Sequence, residues 1–228
     1  GNTTAIAYDA NGNPVTIITD ALTNQTTMTY NTQGLLTQVK DALNNTTTFA
    51  YDLEGNLVTT ADPLGNITTL NYDTAGNVIR STDAQGNATQ FLYDTMNRLI
   101  RVTDAAGGVT NYEYDETGNL SKVTDARGSV TRFEYDSQNR LVKTTDPLGK
   151  FETFSYDANG NLIETIDRRL STIDFQYDAV NQLIRKTFPG VLVADFQYST
   201  AGDLVTVTDP DSALAFTYDG AIRLISAT

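Results

Sequence analysis

The stretch Tyr114-Asp115-Glu116-Thr117-Gly118-Asn119-Leu120-Ser121-Lys122-Val123-Thr124-Asp125-Ala126-Arg127-Gly128-Ser129-Val130-Thr131-Arg132-Phe133-Glu134 runs directly into Tyr135-Asp136, and the pattern starts again. Thr131, Phe133 and Tyr135 alternate with Arg132 and Glu134. That period of two belongs to a strand with one face covered and the other wet. Gly118 stands four residues after Tyr114, where a residue tolerant of positive φ closes a short hairpin loop. Leu120 opens a second strand, and Asp125 with Gly128 supplies a second turn. Two short strands and two turns make one unit.

Outward from this unit, Tyr recurs at 8, 30, 51, 72, 93, 114, 135, 156, 177, 198 and 218, with steps of 22, then 21 eight times, then 20. A fixed period of this kind marks a repeat architecture. The position two before each Tyr is apolar in all eleven units, from Ile6 through Phe91, Phe133 and Phe154 to Phe216. Parity therefore predicts that Phe and Tyr share one buried face. Four residues after Tyr come Gly12, Gly34, Gly55, Gly76, Asn97, Gly118, Asn139, Gly160, Asn181 and Gly202, which predicts a left-handed residue at each, with Ile222 as the exception. The Asp after Tyr is expected to accept hydrogen bonds from turn amides two or three residues on.

The second strand begins with paired aliphatics such as Val78-Ile79, Leu141-Val142 and Leu162-Ile163. Consecutive apolar residues point to opposite faces of a regular strand, so either a bulge intervenes or the wet face also receives cover. Asp41, Asp62, Asp83, Asp104, Asp125 and Asp146 open the second turn, with Pro63 and Pro147 fixing φ at the next position in two units. Gly65, Gly86, Gly107, Gly128 and Gly149 close it. After Asp167 this turn degenerates to Arg168-Arg169-Leu170-Ser171 and then Phe188-Pro189-Gly190, where the hairpins are expected to change length or the ribbon to bend.

The fold expected is all-β: a repetitive antiparallel hairpin ribbon of about 22 short strands, coiling because each strand is rotated from the last. Residues 1–228 form a single array of eleven units, degenerate after about 167. Since Gly1-Asn2-Thr3 enters mid-motif and Thr228 leaves mid-motif, the array reads as an excerpt of a longer chain. A propeller would need about four strands per blade and a period near 40.

The motif Tyr-Asp-x-x-Gly-Asn-Leu, then Thr-Asp-x-x-Gly, seen at 114–120 and 124–128, resembles the unit of the YD-repeat or Rhs-repeat family. That family includes Rhs polymorphic toxins, shell components of Tc toxin complexes, and teneurins. The resemblance implies a strip of sheet that spirals into a shell, secreted or at the cell surface, with a C-terminal effector domain enclosed in the toxins. It also implies further repeats as partners. No segment like the aspartyl self-protease of many bacterial members is present.

The residues themselves argue against chemistry. With no His and no Cys, triads, imidazole metal sites and thiol nucleophiles are ruled out. No cofactor or metal site is expected and no catalytic residue is assigned. The formal charge of −13 disfavours nucleic acid, and no apolar run approaches the ~20 residues of a membrane helix. Asp9-Ala10-Asn11-Gly12-Asn13 and Asp157-Ala158-Asn159-Gly160-Asn161 imitate the start of a calcium loop, but Pro14 and Leu162 stand where such a loop needs Gly. The repeated ladder is read as structural: Tyr51, Tyr72, Tyr93, Tyr114, Tyr135 and Tyr156, Phe91, Phe133 and Phe154, Gly76, Gly118 and Gly160, and Asp62, Asp83, Asp104, Asp125 and Asp146. Arg80, Arg101, Lys122 and Lys143 form a basic column expected to pair across strands with Glu113 and Glu134. Two other functions compete with the scaffold: an adhesin presenting a face to glycans or surface proteins, and end-to-end self-association through free strand edges.

Overall fold

A computed structural model describes residues 6–17, 25–190, 192–218 and 223–227. These form 22 strands of three to seven residues, with no helix among the described residues. By contact the chain divides into two compact units, Gly1–Tyr112 with Asp125–Arg127, and Glu113–Thr124 with Gly128–Thr228. Within each, every strand pairs antiparallel with its neighbours in sequence, giving a meander of hairpins.

The 21-residue period follows from the geometry of one unit. Val130–Tyr135 is a strand of 6 residues and Leu141–Thr145 a strand of 5. Residues 136–140 link them, and residues 146–150 lead to the next strand at Phe151–Tyr156. Both links use one device. The amide of the opening Asp donates to the carbonyl four residues on, and the amide three residues on donates back, as at Asp136 (3.0 Å each) and Asp146 (2.8 and 3.0 Å). The third residue after each opening Asp is left-handed: Gly76, Gly118 and Gly160 have φ of 86°, 94° and 91°, and Asn139 has 61°. Gly and Asn are the residues that enter this region at least cost. Asn44, at φ 68°, plays the part in the Asp41 turn that Gly65 plays in the next.

The paired aliphatics are explained by a bulge. Tyr135 lies opposite Leu141 and Glu134 opposite Lys143, so Val142 has no partner. The same slip leaves out Val58, Ile79, Ile163 and Ile184. The alternate hairpins run without it, as in Thr145 with Phe151 and Lys143 with Thr153. One hairpin in each repeat therefore carries the extra local twist that a bulge brings. The bulged side chains are only partly covered: Ile79, Ile163 and Ile184 are 37–38% exposed, and Val58 and Val142 are half-buried.

Two expectations are corrected. The Asp167 turn does not change length: its amide donates to the Ser171 carbonyl at 3.0 Å, and Leu170 takes the left-handed position at φ 63°. Backbone bonding that a glycine would satisfy more cheaply is here imposed on leucine. The connection does change at Phe188-Pro189-Gly190, where Phe188 pairs directly with Leu192, and again at Asp209, whose amide reaches Ser212, one residue sooner than elsewhere. The second correction concerns the core. Phe91, Phe133 and Phe154 do share a face with the tyrosines, but no described residue is fully buried. Each ring is half covered by the strands beside it. Partial burial of a large apolar side chain contributes on the order of 1 kcal/mol, so stability accumulates in many small neighbour terms. Ile222 lies outside the described residues.

Candidate functional site

The tyrosines hold neighbouring hairpins together. The hydroxyls of Tyr51, Tyr72, Tyr93, Tyr156, Tyr177 and Tyr198 each donate to a backbone carbonyl fifteen residues earlier, at 2.8–3.1 Å; the acceptors are Leu36, Leu57, Val78, Leu141, Leu162 and Leu183. These acceptors open the second strand of the preceding repeat, beyond the point where the ladder to the next strand stops. In one case the ladder ends at Lys143 with Thr153, two residues short of Leu141. The phenol thus satisfies a carbonyl that the backbone of the adjacent strand does not reach. Tyr114 and Tyr135 end their strands in the same way, half-buried on the same face. Desolvation, with the Asp115 charge adding to it, raises the pKa of the Tyr135 hydroxyl, so it stays a donor at any ordinary pH.

The turn aspartates work as caps, with amide partners two and four residues on rather than two or three. The Asp62 Oδ1 accepts the amides of Leu64 and Asn66 at 2.8 Å each, and its Oδ2 accepts the Asn66 side-chain amide at 2.7 Å. Asp83 is bonded identically through Gln85 and Asn87. Asp104 caps Ala106 and Gly108, Asp146 caps Leu148 and Lys150, and Asp125 caps Arg127. Those donors hold several carboxyls below their usual range: Asn66 first through its side chain at Asp62, Asn87 likewise at Asp83, and the Arg140 amide at Asp136. In the calcium-like loop, both oxygens of Asp157 are taken by Asn159 and Asn161 at 2.8–2.9 Å. These carboxylates have turn amides for ligands.

A second order in the turns went unread in the sequence. From Gly76 to Asn181 the left-handed residue alternates Gly, Asn, Gly, Asn, Gly, Asn, and the next residue alternates Asn77, Arg98, Asn119, Arg140, Asn161, Gln182. Each Gly-Asn turn donates to the following Asn-Arg or Asn-Gln turn: Asn77 to the Asn97 side-chain oxygen at 3.0 Å, Asn119 to Asn139 at 2.8 Å, and Asn161 to Asn181 at 2.8 Å. In the Asn-Arg turns the arginine acts. Arg140 grips Asp136 through Nε at 2.7 Å and a terminal nitrogen at 2.6 Å, donates to the Asp157 carbonyl at 3.1 Å, and lies 4.6 Å over the Tyr156 ring. The turn edge is thus laced in pairs of repeats. The alternation carries that signal in the sequence, where the tolerance of positive φ that Gly and Asn share masks it.

The polar face shows the expected cross-strand pairs in part. Lys122 meets Glu113 at 2.7 Å and Lys143 meets Glu134 at 2.8 Å, while Arg185 is bonded by Asp195 at 2.6 Å. Arg168 reaches Glu152 at 3.3 Å.

Repeated turns, bulges and tyrosine braces make this an array of one structural unit, and the match to known proteins has the same extent. The model of the family described as teneurin YD-shell matches residues 3–150 and 109–227. The chain belongs to the teneurin YD-shell family. The YD-shell array has the build of a shell scaffold. No curated protein matches it. Among solved structures it is similar to the crystal structure of TcdB2-TccC3-TEV, with 18% identity and a TM-score of 0.76 over 98% of this chain and 14% of that one. It is also similar to TcdB2-TccC3-Cdc42, with 18% identity and a TM-score of 0.64 over 99% of this chain and 15% of that one. A third similar structure, TcdB2-TccC3, has 16% identity and a TM-score of 0.58 over 99% and 17%. At these identities the likeness is one of fold, and the YD-shell array spans about a sixth or less of the length of those chains.

Proposed function

We propose that the chain is a wall segment of a YD shell, a structural scaffold without enzymatic activity that helps enclose a C-terminal effector of a secreted or cell-surface toxin-like protein. The observation that carries this reading is the set of six tyrosine braces, each of which ties a hairpin to the one before and makes the repeat extensible in one direction. A ribbon so built gains its strength from neighbours and has no interior of its own, as befits a wall rather than a free-standing domain. The partners are then further repeats of the same kind, continuing the 1–228 array, and the polypeptide they surround. The Tyr, Phe, Gly and Asp ladder serves that wall and binds no cofactor.

The test is electron microscopy of the full-length protein with intact-mass measurement of the same sample. The expected result is a closed, filled particle. An open rod would overturn enclosure, and glycan retention dependent on exposed aromatic residues would transfer the array to the adhesins.

A further inference from the structure

The polar face of the first compact unit carries two cations that the array leaves unneutralised. Elsewhere this column satisfies itself. Lys143 lies opposite Glu134 and bonds it at 2.8 Å, and Arg185 lies opposite Asp195 and bonds it at 2.6 Å. Arg80 instead faces Asn71 and Gln90, and Arg101 faces Leu92 and Asn111. Both arginines are exposed, and among the described residues neither has an ion pair. Where Glu134 stands in its repeat, the repeat of Arg101 has Leu92, 53% exposed, and the bulged Ile79 lies beside it. These two aliphatics, Gln90, Phe91, Arg101 and Thr103 line a shallow groove of about 560 Å³, and Arg80, opposite Gln90, stands beside it.

We propose that this groove is a docking surface for an acidic polypeptide segment of a partner, extended and alternating carboxylate with aliphatic side chains. The array itself shows what completes the column: a carboxylate from the adjoining strand, at bonding distance to the cation. A guanidinium adds a preference for the two oxygens of one carboxylate. Arg80 and Arg101 lie two strands apart and two residues out of step along them, roughly 12 Å, a spacing that the first and third of three same-side residues of an extended segment, ~13 Å apart, match. Leu92 and Ile79 give the aliphatic side chains apolar surface to cover. A sulfated glycan would meet the charges but gain little from the leucine and isoleucine, so a polypeptide is the better fit. The inference stands apart from the shell reading and fails or survives without it.

The probe is the blocked, fluorescently labelled peptide Glu-Val-Glu-Val-Glu, titrated against the array by anisotropy. Saturable binding is expected. It should weaken by at least about tenfold in the double variant Arg80→Gln/Arg101→Gln. Leu92→Glu should weaken it too, by giving Arg101 the internal partner that Lys143 has in Glu134. Lys122→Gln/Lys143→Gln removes cations already paired and should leave binding within about twofold. All these side chains are on the polar face, and retention of the strand signal in circular dichroism confirms that each variant is folded. Absence of binding, binding indifferent to the two arginines, or a heparin fragment that binds where the peptide does not would each overturn the proposal.

Discussion

The Tyr156 hydroxyl donates to the Leu141 carbonyl at 2.9 Å, across the boundary between two repeats. Leu141 already pairs with Tyr135 on its other side, so one residue is held by the tyrosines of two successive units. Tyr156→Phe keeps the ring and removes the donor. The expected cost is about 1 kcal/mol, read as a lower urea midpoint. An unchanged midpoint would mean that water serves that carbonyl equally well.

Arg140 combines a forked grip on Asp136, a bond to the Asp157 carbonyl and a stacked position on Tyr156. Lysine keeps the charge and loses the fork and the flat face. Arg140→Lys should therefore lower the thermal midpoint by about 2 °C despite conserving charge. If only Arg140→Ala lowered it, charge alone would be the contribution.

Acid should weaken the turns. Asp62, Asp73, Asp83, Asp136 and Asp157 are held below the ordinary carboxylate value of 3.8 by their turn donors, the Asn66, Asn77 and Asn87 side chains, the Arg140 amide and the Asn161 side chain respectively. A depressed folded pKa gives stability that is complete above the unfolded value and is lost as pH falls through the folded one. With no His in the chain, the thermal midpoint should be flat from about pH 8 to pH 5 and fall below about pH 4. Calorimetry across that range decides it; a drop centred near pH 6 would show that some other group governs stability.

Leu170 is left-handed at φ 63° and 71% exposed, so it bears the steric cost of that region with little burial in return. That cost is about 1–2 kcal/mol for an L-residue, against roughly 0.5–1 kcal/mol of added chain entropy for glycine. Leu170→Gly should stabilise the array by up to about 1 kcal/mol, measured by denaturant unfolding. Loss of stability would place a contact of the leucine side chain above its strain.

Most of the strand layout was legible because spacing alone encodes it: apolar parity marks the faces of Val130–Tyr135, and Gly118 or Asn139 marks where the chain must turn. The bulge at Val142 could be named as one of two alternatives, since a pair of aliphatics is ambiguous until the opposite strand is known. The tyrosine brace was hidden for a different reason. Periodicity says which face a ring occupies, but not that its hydroxyl reaches the Leu141 carbonyl on the neighbouring strand. The Asp167 turn escapes a reading by residue preference because that preference is not a requirement: backbone bonding on either side overrides it at Leu170.

The alternation of Gly-Asn with Asn-Arg or Asn-Gln turns has a consequence for inheritance. Copying one 21-residue module within the stretch from Gly76 to Asn181 would bring two turns of the same kind together and interrupt the donor-to-acceptor sequence from Asn77 to Asn97 or from Asn119 to Asn139. Copying two modules at once keeps the phase. Lineages of this array should therefore lengthen or shorten most readily in steps of two, and odd-numbered length changes should settle outside that stretch.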